Sequence, residues 1–260
     1  MRYAFWNANG KSNNEYISSL VMDNGVDTLI LSEYKRLNIS ELIERLGFDV
    51  IPSAGCEEII ILGDSNAFEM CTQEKRFSIQ IVNNDYLLCG LHLTSKLFDS
   101  CGDRRLIEIE QILSDISEIQ NQRGITEVVF VGDFNDDPFE KSIINVQAFH
   151  ALPSIRDLEK EYRQIENKAF RRYYNPMWNL LGDNDGVPGT YYYANSPNPS
   201  ESFWHMLDQV IISKGLYDRF IFNQLRIVTE TSRGPLTNHN GHPNEKISDH
   251  FPIIFEIGGN

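Results

Sequence analysis

Five short segments of this chain place carboxylate, amide or imidazole side chains at or near the end of an apolar run. In chain order the segments are Trp6-Asn7-Ala8-Asn9-Gly10, Leu31-Ser32-Glu33-Tyr34-Lys35, Val131-Gly132-Asp133-Phe134-Asn135, Leu207-Asp208-Gln209-Val210-Ile211 and Ser248-Asp249-His250-Phe251-Pro252. An α/β scaffold usually builds its reaction centre where strands stop and loops begin. Oxygen ligands suit a hard divalent cation, and a nearby imidazole suits proton transfer. The set therefore predicts a divalent-metal site beside a histidine, and hence phosphate-ester chemistry.

Length and charge limit the classes of protein that this chain can be. With 260 residues, of which 41% are hydrophobic, we expect one domain over residues 1–260 with a substantial core. The formal net charge of −14 argues against a protein that holds nucleic acid mainly by a broad basic surface. It leaves a nuclease possible, because a metal site needs carboxylates and a small basic patch can guide one phosphate.

Cysteine usage and hydropathy indicate an intracellular protein. The four cysteines form no CxxC pair and lie at no zinc-finger spacing from a histidine, so we expect reduced thiols. The N-terminus shows no basic region followed by a long apolar stretch, and no apolar run approaches the ~18 residues of a membrane helix. We therefore expect a cytoplasmic protein without a signal peptide or a membrane segment.

The apolar periodicity predicts helices interleaved with strands. Helices are predicted at 14–24, at 39–46, at 103–122 and from about 138 to 146, and the charged stretch 156–172 is also compatible with a helix. Short turns join several of the strands, as at Asn83-Asn84-Asp85. This pattern predicts mixed sheets covered by helices and not a purely parallel sheet.

Taken together, the five segments resemble the endonuclease/exonuclease/phosphatase superfamily, over nearly the whole chain from Asn7 to His250. Each motif is common by itself, whereas five in the family order with strand-like context are specific. The resemblance implies an α/β fold of four layers, in which two mixed β-sheets pack face to face with helices outside. It also implies Mg²⁺ or Mn²⁺ as the cofactor.

The resemblance assigns the metal side of the site to three residues. Glu33 would be the principal metal ligand, Asp249 a second metal-side carboxylate, and Asn7 would hold a phosphate oxygen or a metal-bound water. Asn9 is a candidate substrate-binding residue. The exonuclease III branch tends to have an acidic residue at this position, so Asn9 departs from that branch.

The catalytic side is assigned in the same way. By resemblance, Asp133 would orient or deprotonate the attacking water, Asn135 would bind the scissile phosphate, and His92 would contact it. His250 would donate to the phosphate or act as general acid or base, with Asp208 fixing its tautomer. The residues give an independent reason to pair Asp208, because a carboxylate that interrupts the apolar run 206–213 is costly unless it has a partner.

Further substrate-binding candidates come from basic and aromatic residues. Arg105 resembles an arginine common after the His92 motif, and it could bind phosphate or be structural. The stretch 170–178 mixes arginines with aromatic residues, which can clamp phosphates and stack on bases. It could equally be a helix end whose aromatic residues pack in the core. Its candidates are Arg171, Arg172, Tyr174 and Asn175.

The expected activity is metal-dependent phosphodiester hydrolysis by in-line attack of an activated water, and we expect a nuclease acting on DNA or RNA. One alternative is a phosphatase or phosphodiesterase for a small phosphorylated molecule or a lipid headgroup. Another is an inactive binding module, although retention of all the polar site positions speaks against it. The acidic composition also makes a basic protein partner conceivable.

Overall fold

The computed structural model describes residues 1–99, 101–183, 186–196, 199 and 202–259. The α-helices of these residues are α1 (Asn14–Asn24), α2 (Ile39–Leu46), α3 (Asp103–Arg123) and α4 (Lys141–Ile144). The β-strands are β1 (Arg2–Asn7), β2 (Thr28–Ser32), β3 (Asp49–Ile51), β4 (Ile59–Gly63), β5 (Phe68–Glu74), β6 (Phe77–Val82), β7 (Tyr86–His92), β8 (Val128–Asp133), β9 (Ala151–Leu152), β10 (Tyr162–Ile165), β11 (Lys168–Arg171), β12 (Tyr173–Tyr174), β13 (Tyr191–Tyr192), β14 (Trp204–His205), β15 (Asp208–Ile212), β16 (Arg226–Ile227), β17 (Glu230–Thr231), β18 (Gly234–Pro235) and β19 (Ile253–Glu256).

Two large mixed sheets contain most of these strands. The six-stranded sheet has the order β16-β19-β1-β2-β4-β3, in which β1 and β2 are parallel and the other neighbours antiparallel. The seven-stranded sheet has the order β5-β6-β7-β8-β15-β12-β9. In this second sheet β7 is parallel to β8, and β12 is parallel to β9.

Alternation along the central strands explains why the sheets stack with helices outside. On β1, Tyr3 and Phe5 belong to the core between the two sheets, whereas Ala4 and Trp6 belong to the core under α1 and α2. Strand β8 behaves in the same way, because its alternate residues face the first sheet and α3. A strand with both faces buried is apolar throughout, as these strands are. The result is the four-layer α/β sandwich that the resemblance implied.

Most long elements lie where the sequence predicted them, but the stretch 156–172 does not. Helices α1 and α2 have the predicted bounds, and Gly25 ends α1 in the left-handed conformation. The prediction of a helix at 156–172 is wrong, because a 3₁₀ turn at Ile155–Leu158 is followed by the hairpin of β10 and β11. The charged residues of this stretch leave it without an apolar helical face that could pack against the core. No helix among the described residues is long and apolar enough to cross a membrane.

Candidate active site

Three strand pairs bring polar side chains to one end of the space between the two sheets. Asn7 lies opposite Ser32 on the parallel strands β1 and β2. Asp133 lies opposite His92 of β7 on one side and opposite Asp208 of β15 on the other. Each polar residue continues the inward-facing alternation of its strand, as Asn7 continues that of Tyr3 and Phe5. The site therefore forms at the open end of the core between the sheets.

Residues just beyond these strand ends have a left-handed backbone. The φ angles are 48° at Asn9, 49° at Glu33 and 53° at Asn135. For an L-residue that conformation costs roughly 1–2 kcal/mol, with asparagine more tolerant than glutamate. Non-glycine residues held in this region cluster at functional sites. Here the left-handed backbone turns the chain at the strand ends. Glu33 and Asn135 therefore remain beside the polar side chains at those ends.

Asn7 connects two carboxylates. Its Nδ2 donates to Oε1 of Glu33 at 3.2 Å and to Oδ2 of Asp133 at 3.0 Å. Its Oδ1 accepts from the backbone N–H of Asn9 at 2.9 Å. The other oxygen of Asp133 accepts from the backbone N–H of Asn135 at 2.8 Å, and Nδ2 of Asn135 donates to the carbonyl of Leu93. The side chains of Asn7 and Asp133 are thus fixed before any ligand arrives.

A histidine–aspartate pair lies beside this group. Nδ1 of His250 donates to Oδ2 of Asp208 at 2.8 Å, and both side chains are buried. The His250 backbone is fixed on both sides, because its N–H donates to Oγ of Ser248 and its carbonyl accepts from Nε1 of Trp6. Oγ of Ser248 in turn donates to the carbonyl of Asn7 at 2.7 Å. The histidine and the Asn7 group are therefore held in one frame.

His92 lies between three carboxylates. Its Nε2 is 3.7 Å from Asp133 and 3.9 Å from Glu33, and its Nδ1 is 3.9 Å from Glu58. Burial lowers the pKa of His92, although Glu33 and Glu58 oppose that change. Nδ1 has no hydrogen-bond partner among the described residues. The imidazole is thus available to a ligand that enters the cluster.

Burial and charge separate the pKa values of the base and the histidine. Burial raises the pKa of Asp133 to about 7, although His250 and the hydrogen bonds from Asn135 and Asn7 lower it. Burial alone would lower the pKa of His250, but the charge of Asp208 and the hydrogen bond to it raise that pKa to about 10. A carboxylate that titrates near neutral pH next to a protonated imidazole is typical of a catalytic acid–base pair.

The structure does not bring every candidate substrate-binding residue to this cluster. Arg105 is buried and bonds to Asp136 and to the carbonyl of Thr94, so it joins two loops near the site. Tyr174 lies opposite Ile212, at the end of β15 away from Asp208. The other candidates are also occupied: Arg171 pairs with Glu161, Arg172 donates to backbone carbonyls, and the fully buried Asn175 donates to Gln209.

The apolar packing of this stretch explains its position. Tyr173 and Tyr174 are both buried, and β12 pairs with β15 and β9 at one side of the second sheet. Of the two interpretations left open for residues 170–178, the structure therefore shows aromatic residues packed in the core. Asn9, by contrast, lies directly beside Asn7.

Two residues of the site were missed in the sequence. Glu58 comes just before β4, and its side chain is 17% exposed near His92. Tyr191 forms a β-bridge with His250, and the two ring centroids are 4.9 Å apart. A carboxylate at the edge of an apolar run was a signal for Glu58. No local signal distinguished Tyr191 from the tyrosines that follow it.

Comparison with solved structures supports the fold over the full chain. ANGEL2, described as a 2',3'-cyclic phosphatase, matches with a TM-score of 0.56 and 14% identity, covering 98% of this chain and 94% of its own. A 3'-5' exonuclease (NExo) from Neisseria meningitidis matches at 0.57 and 12%, with both chains fully covered. The mannosyl-6-phosphatase Bt3783 of Bacteroides thetaiotaomicron VPI-5482 matches at 0.57 and 14%, also with full coverage.

Comparison by sequence places the chain in a family. A search of curated proteins returned no match. The model of the Endonuclease/Exonuclease/phosphatase family matches residues 99–258, which include the segments around Asp133, Asp208 and His250. This confirms the resemblance seen in the motifs. The chain therefore belongs to the Endonuclease/Exonuclease/phosphatase family.

Proposed function

We propose that the protein hydrolyses phosphodiester bonds of nucleic acid by in-line attack of water, with the help of Mg²⁺ or Mn²⁺. The observation that carries this proposal is the pair of carboxylates Glu33 and Asp133, joined through Asn7, beside the buried His250–Asp208 pair. Oδ1 of Asp249 lies 4.0 Å from Nε2 of His250. Among the described residues, no lysine or arginine lies within ion-pair distance of these three carboxylates. Protonated His250 is the positive charge next to this group, and carboxylates that outnumber the nearby positive charges favour a bound cation.

The donor set fits a hard divalent cation. Glu33 and Asp249 keep 40% and 34% of their side chains exposed, so a cation can reach them while it retains waters. Nδ2 of Asn7 holds Glu33 in place, and Oδ1 of Asn7 accepts from the backbone N–H of Asn9. Glu33, Asp249 and Asn7 would hold the ion. When bound, it would neutralise negative charge on the phosphate oxygens.

A second group of potential ligands suits proton transfer better than metal binding. One ligand atom each of Asp133, Asp208 and His250 lies within 4.8 Å of the others. However, Nδ1 of His250 is engaged by Asp208, and all three side chains are buried. Because its pKa is about 10, this imidazole is protonated at neutral pH and is a hydrogen-bond donor, not a metal ligand. We therefore assign Glu33, Asp249 and Asn7 to the cation.

The remaining residues would carry out the proton transfers and hold the phosphate. Asp133 would orient the attacking water and accept its proton, which suits a carboxylate whose pKa lies near 7. His250, fixed through Nδ1, would donate from Nε2 to the phosphate. His92 and Asn135 would contact the phosphate from strands β7 and β8. Burial of the acid and base strengthens these interactions, because little water competes.

A small phosphorylated molecule is the second candidate substrate. The net charge of −14 favours it over a long polyanion. Proteins of the same fold include an exonuclease, a cyclic phosphatase and a mannosyl-6-phosphatase, so the fold leaves the substrate open. The mixed basic and apolar surface described in the next subsection favours nucleic acid.

The experiment incubates the purified protein with EDTA, Mg²⁺ or Mn²⁺ and with single-stranded DNA, duplex DNA, RNA or bis-p-nitrophenyl phosphate. Cleavage of a polymer that requires the metal supports the proposal. Cleavage of small esters alone supports the second candidate, and no cleavage of any substrate supports an inactive binding module.

Matched variants test the assigned roles. Asp133→Asn and His250→Ala should each lower kcat by about 10²–10⁴-fold, the usual contribution of a general acid or base. Asp115→Asn removes a carboxylate of α3 that bonds to Gln111 outside the site, and it should leave kcat unchanged. Circular dichroism would show that the variants are folded. Wild-type turnover in either site variant would contradict the roles.

A further inference from the structure

A series of surface cavities begins at residues that directly follow Asn135 along the chain. The first, of about 470 Å³, is lined by Asp136, Asp137 and Lys96, and by none of the proposed catalytic or metal-binding residues. Two more, of about 450 and 440 Å³, both share Lys141 with the first cavity and with each other. A fourth, of about 460 Å³, shares Arg163 with the third. Because neighbouring cavities share lining residues, we call the four together the groove, which extends from α4 to the hairpin β10–β11.

This groove concentrates positive charge in an acidic protein. In its three outer cavities, three lining residues are acidic and six are basic: Lys141, Arg156, Lys160, Arg163, Lys168 and Arg172. Over the whole sequence the balance is reversed, with 37 acidic against 23 basic residues. Within the part of the chain that the structure describes, none of the six lies at ion-pair distance from a carboxylate. No carboxylate of the described residues therefore neutralises their charge, although Arg172 donates hydrogen bonds to the carbonyls of Asp157 and Lys160.

Apolar side chains lie between these charges. The hairpin residue Ile165 is 37% exposed, Ile144 of α4 is 42% exposed, and Ile107 of α3 is 67% exposed. All three line the middle cavities, together with Phe170. Phe139, half exposed, lines the first cavity. A row of cations with aromatic and aliphatic surface between them suits a polyanion that also presents flat apolar groups.

We propose that this groove binds the backbone of a single-stranded polynucleotide and leads it to the catalytic cluster. The inference rests on the proposed function and names its substrate class. The basic residues of the groove alternate with exposed apolar side chains, which suits a single strand because its unpaired bases can pack on apolar surface. The groove also explains how a protein with a net charge of −14 could hold nucleic acid, because basic residues outnumber acidic ones in its three outer cavities.

The test removes two charges of the hairpin, far from the catalytic residues. Arg163→Ala/Lys168→Ala is compared with Arg45→Ala/Arg233→Ala, which removes two exposed charges that form surface ion pairs outside the groove. Binding of a labelled single strand of about 20 nucleotides, longer than the roughly 4–16 nucleotides that such a surface covers, is measured by fluorescence anisotropy in EDTA. EDTA separates binding from cleavage.

The expected result is a weaker and less salt-dependent complex. Each lost phosphate contact should reduce the slope of log K against log salt by about 0.7, so the hairpin variant should lose about 1.4. Its affinity at low salt should fall about tenfold or more, whereas the control variant should bind as the wild type does. Lys141→Ala should reduce the slope by about 0.7. Hydrolysis of bis-p-nitrophenyl phosphate should not change in any of these variants.

Several results would contradict the proposal that the groove binds a single strand. Equal affinity and slope for the hairpin variant and its control would do so, as would tighter binding of duplex than of single strand. Dependence on Arg163 and Lys168 for binding to phosphatidylserine vesicles, but not to the oligonucleotide, would indicate a membrane surface. If the oligonucleotide binds through the hairpin but Mg²⁺ supports no cleavage, the proposed activity fails and the groove stands. If Mg²⁺ supports cleavage but the hairpin variant binds as its control does, the proposed activity stands and the groove is contradicted.

Discussion

The pairing of His250 with Asp208 makes a sharp prediction about how activity depends on pH. The pKa of His250 is raised to about 10 by a buried carboxylate 2.8 Å away, against an ordinary value of about 6.5. Asp208→Asn keeps the shape of the side chain and a hydrogen-bond acceptor but removes the negative charge. Burial then lowers the pKa of His250 from about 10 toward its ordinary value of about 6.5, although the charges of Asp133 and Asp249 still raise it.

The size of the effect follows from the fraction of protonated histidine. If the pKa of His250 returns to its ordinary value of about 6.5, about 3% of the Asp208→Asn molecules would carry a proton on His250 at pH 8. If His250 must donate to the phosphate, kcat should then fall up to about 30-fold at pH 8. At pH 6 about three quarters would be protonated, so much of this loss should disappear. The activity of the wild type should instead persist until the pH approaches 10.

The assay is kcat against pH for wild type, Asp208→Asn and a control variant that removes a similar pair. Asp137→Asn is that control, because Oδ2 of Asp137 lies 2.8 Å from Nδ1 of the buried His205, outside the catalytic cluster. Its alkaline limit should match that of the wild type. Thermal melting would show whether each variant is folded at each pH. A loss in Asp208→Asn that is the same at pH 6 and pH 8 would refute the argument, because the carboxylate would then not act through the protonation of His250.

Three further predictions concern the metal, the fold and acid stability. Glu33→Gln should weaken Mg²⁺ binding by at least about tenfold in calorimetry, whereas the exposed Glu44→Gln should not. Unchanged affinity would remove Glu33 from the metal site. Gly132→Ala should destabilise the fold by more than about 4 kcal/mol in urea titration, because the added Cβ would lie 1.8 Å from the carbonyl oxygen of Leu91. A urea midpoint equal to that of the wild type would contradict the predicted clash. Burial lowers the pKa of His150, so the folded chain takes up this proton less readily than the unfolded chain, and stability should fall as pH drops below about 6.5. His150→Gln should lose part of that pH dependence, and an unchanged dependence would contradict it.

The sequence was most informative where local patterns and burial agree. The helix at residues 14–24 shows an apolar face and a glycine stop, and both depend only on neighbouring residues. The strand ends at Asn7 and Asp133 were predictable because an apolar run that stops at a polar group marks the end of buried backbone. Asp208 was predicted inside a strand at 206–213, and it is the first residue of β15. Five such ends in a family order also predicted the four-layer fold.

Local patterns were least informative where a segment is exposed or basic. The stretch 156–172 has alternating charge without an apolar face, and it forms a hairpin with every residue of β10 exposed. Arg171 and Arg172 looked like phosphate ligands, but their partners come from residues 126, 157, 160 and 161, which only the folded chain brings near. A guanidinium can clamp phosphate or bind a carbonyl equally well, so composition could not decide between them.

By itself, the sequence determined which side chains could do chemistry and that each lies near the end of a buried strand. Only the tertiary structure decided that Asn7 bridges Glu33 and Asp133, that Tyr191 packs on His250, and that unpaired basic residues line one groove. The physical reason is the distance along the chain over which each kind of interaction acts. Periodicity and turn chemistry act over a few residues, whereas the Asn7–Asp133 hydrogen bond joins residues 126 positions apart, through the register of two packed sheets. The left-handed backbone of Glu33 is held by that same packing, and nothing in its own sequence requires it.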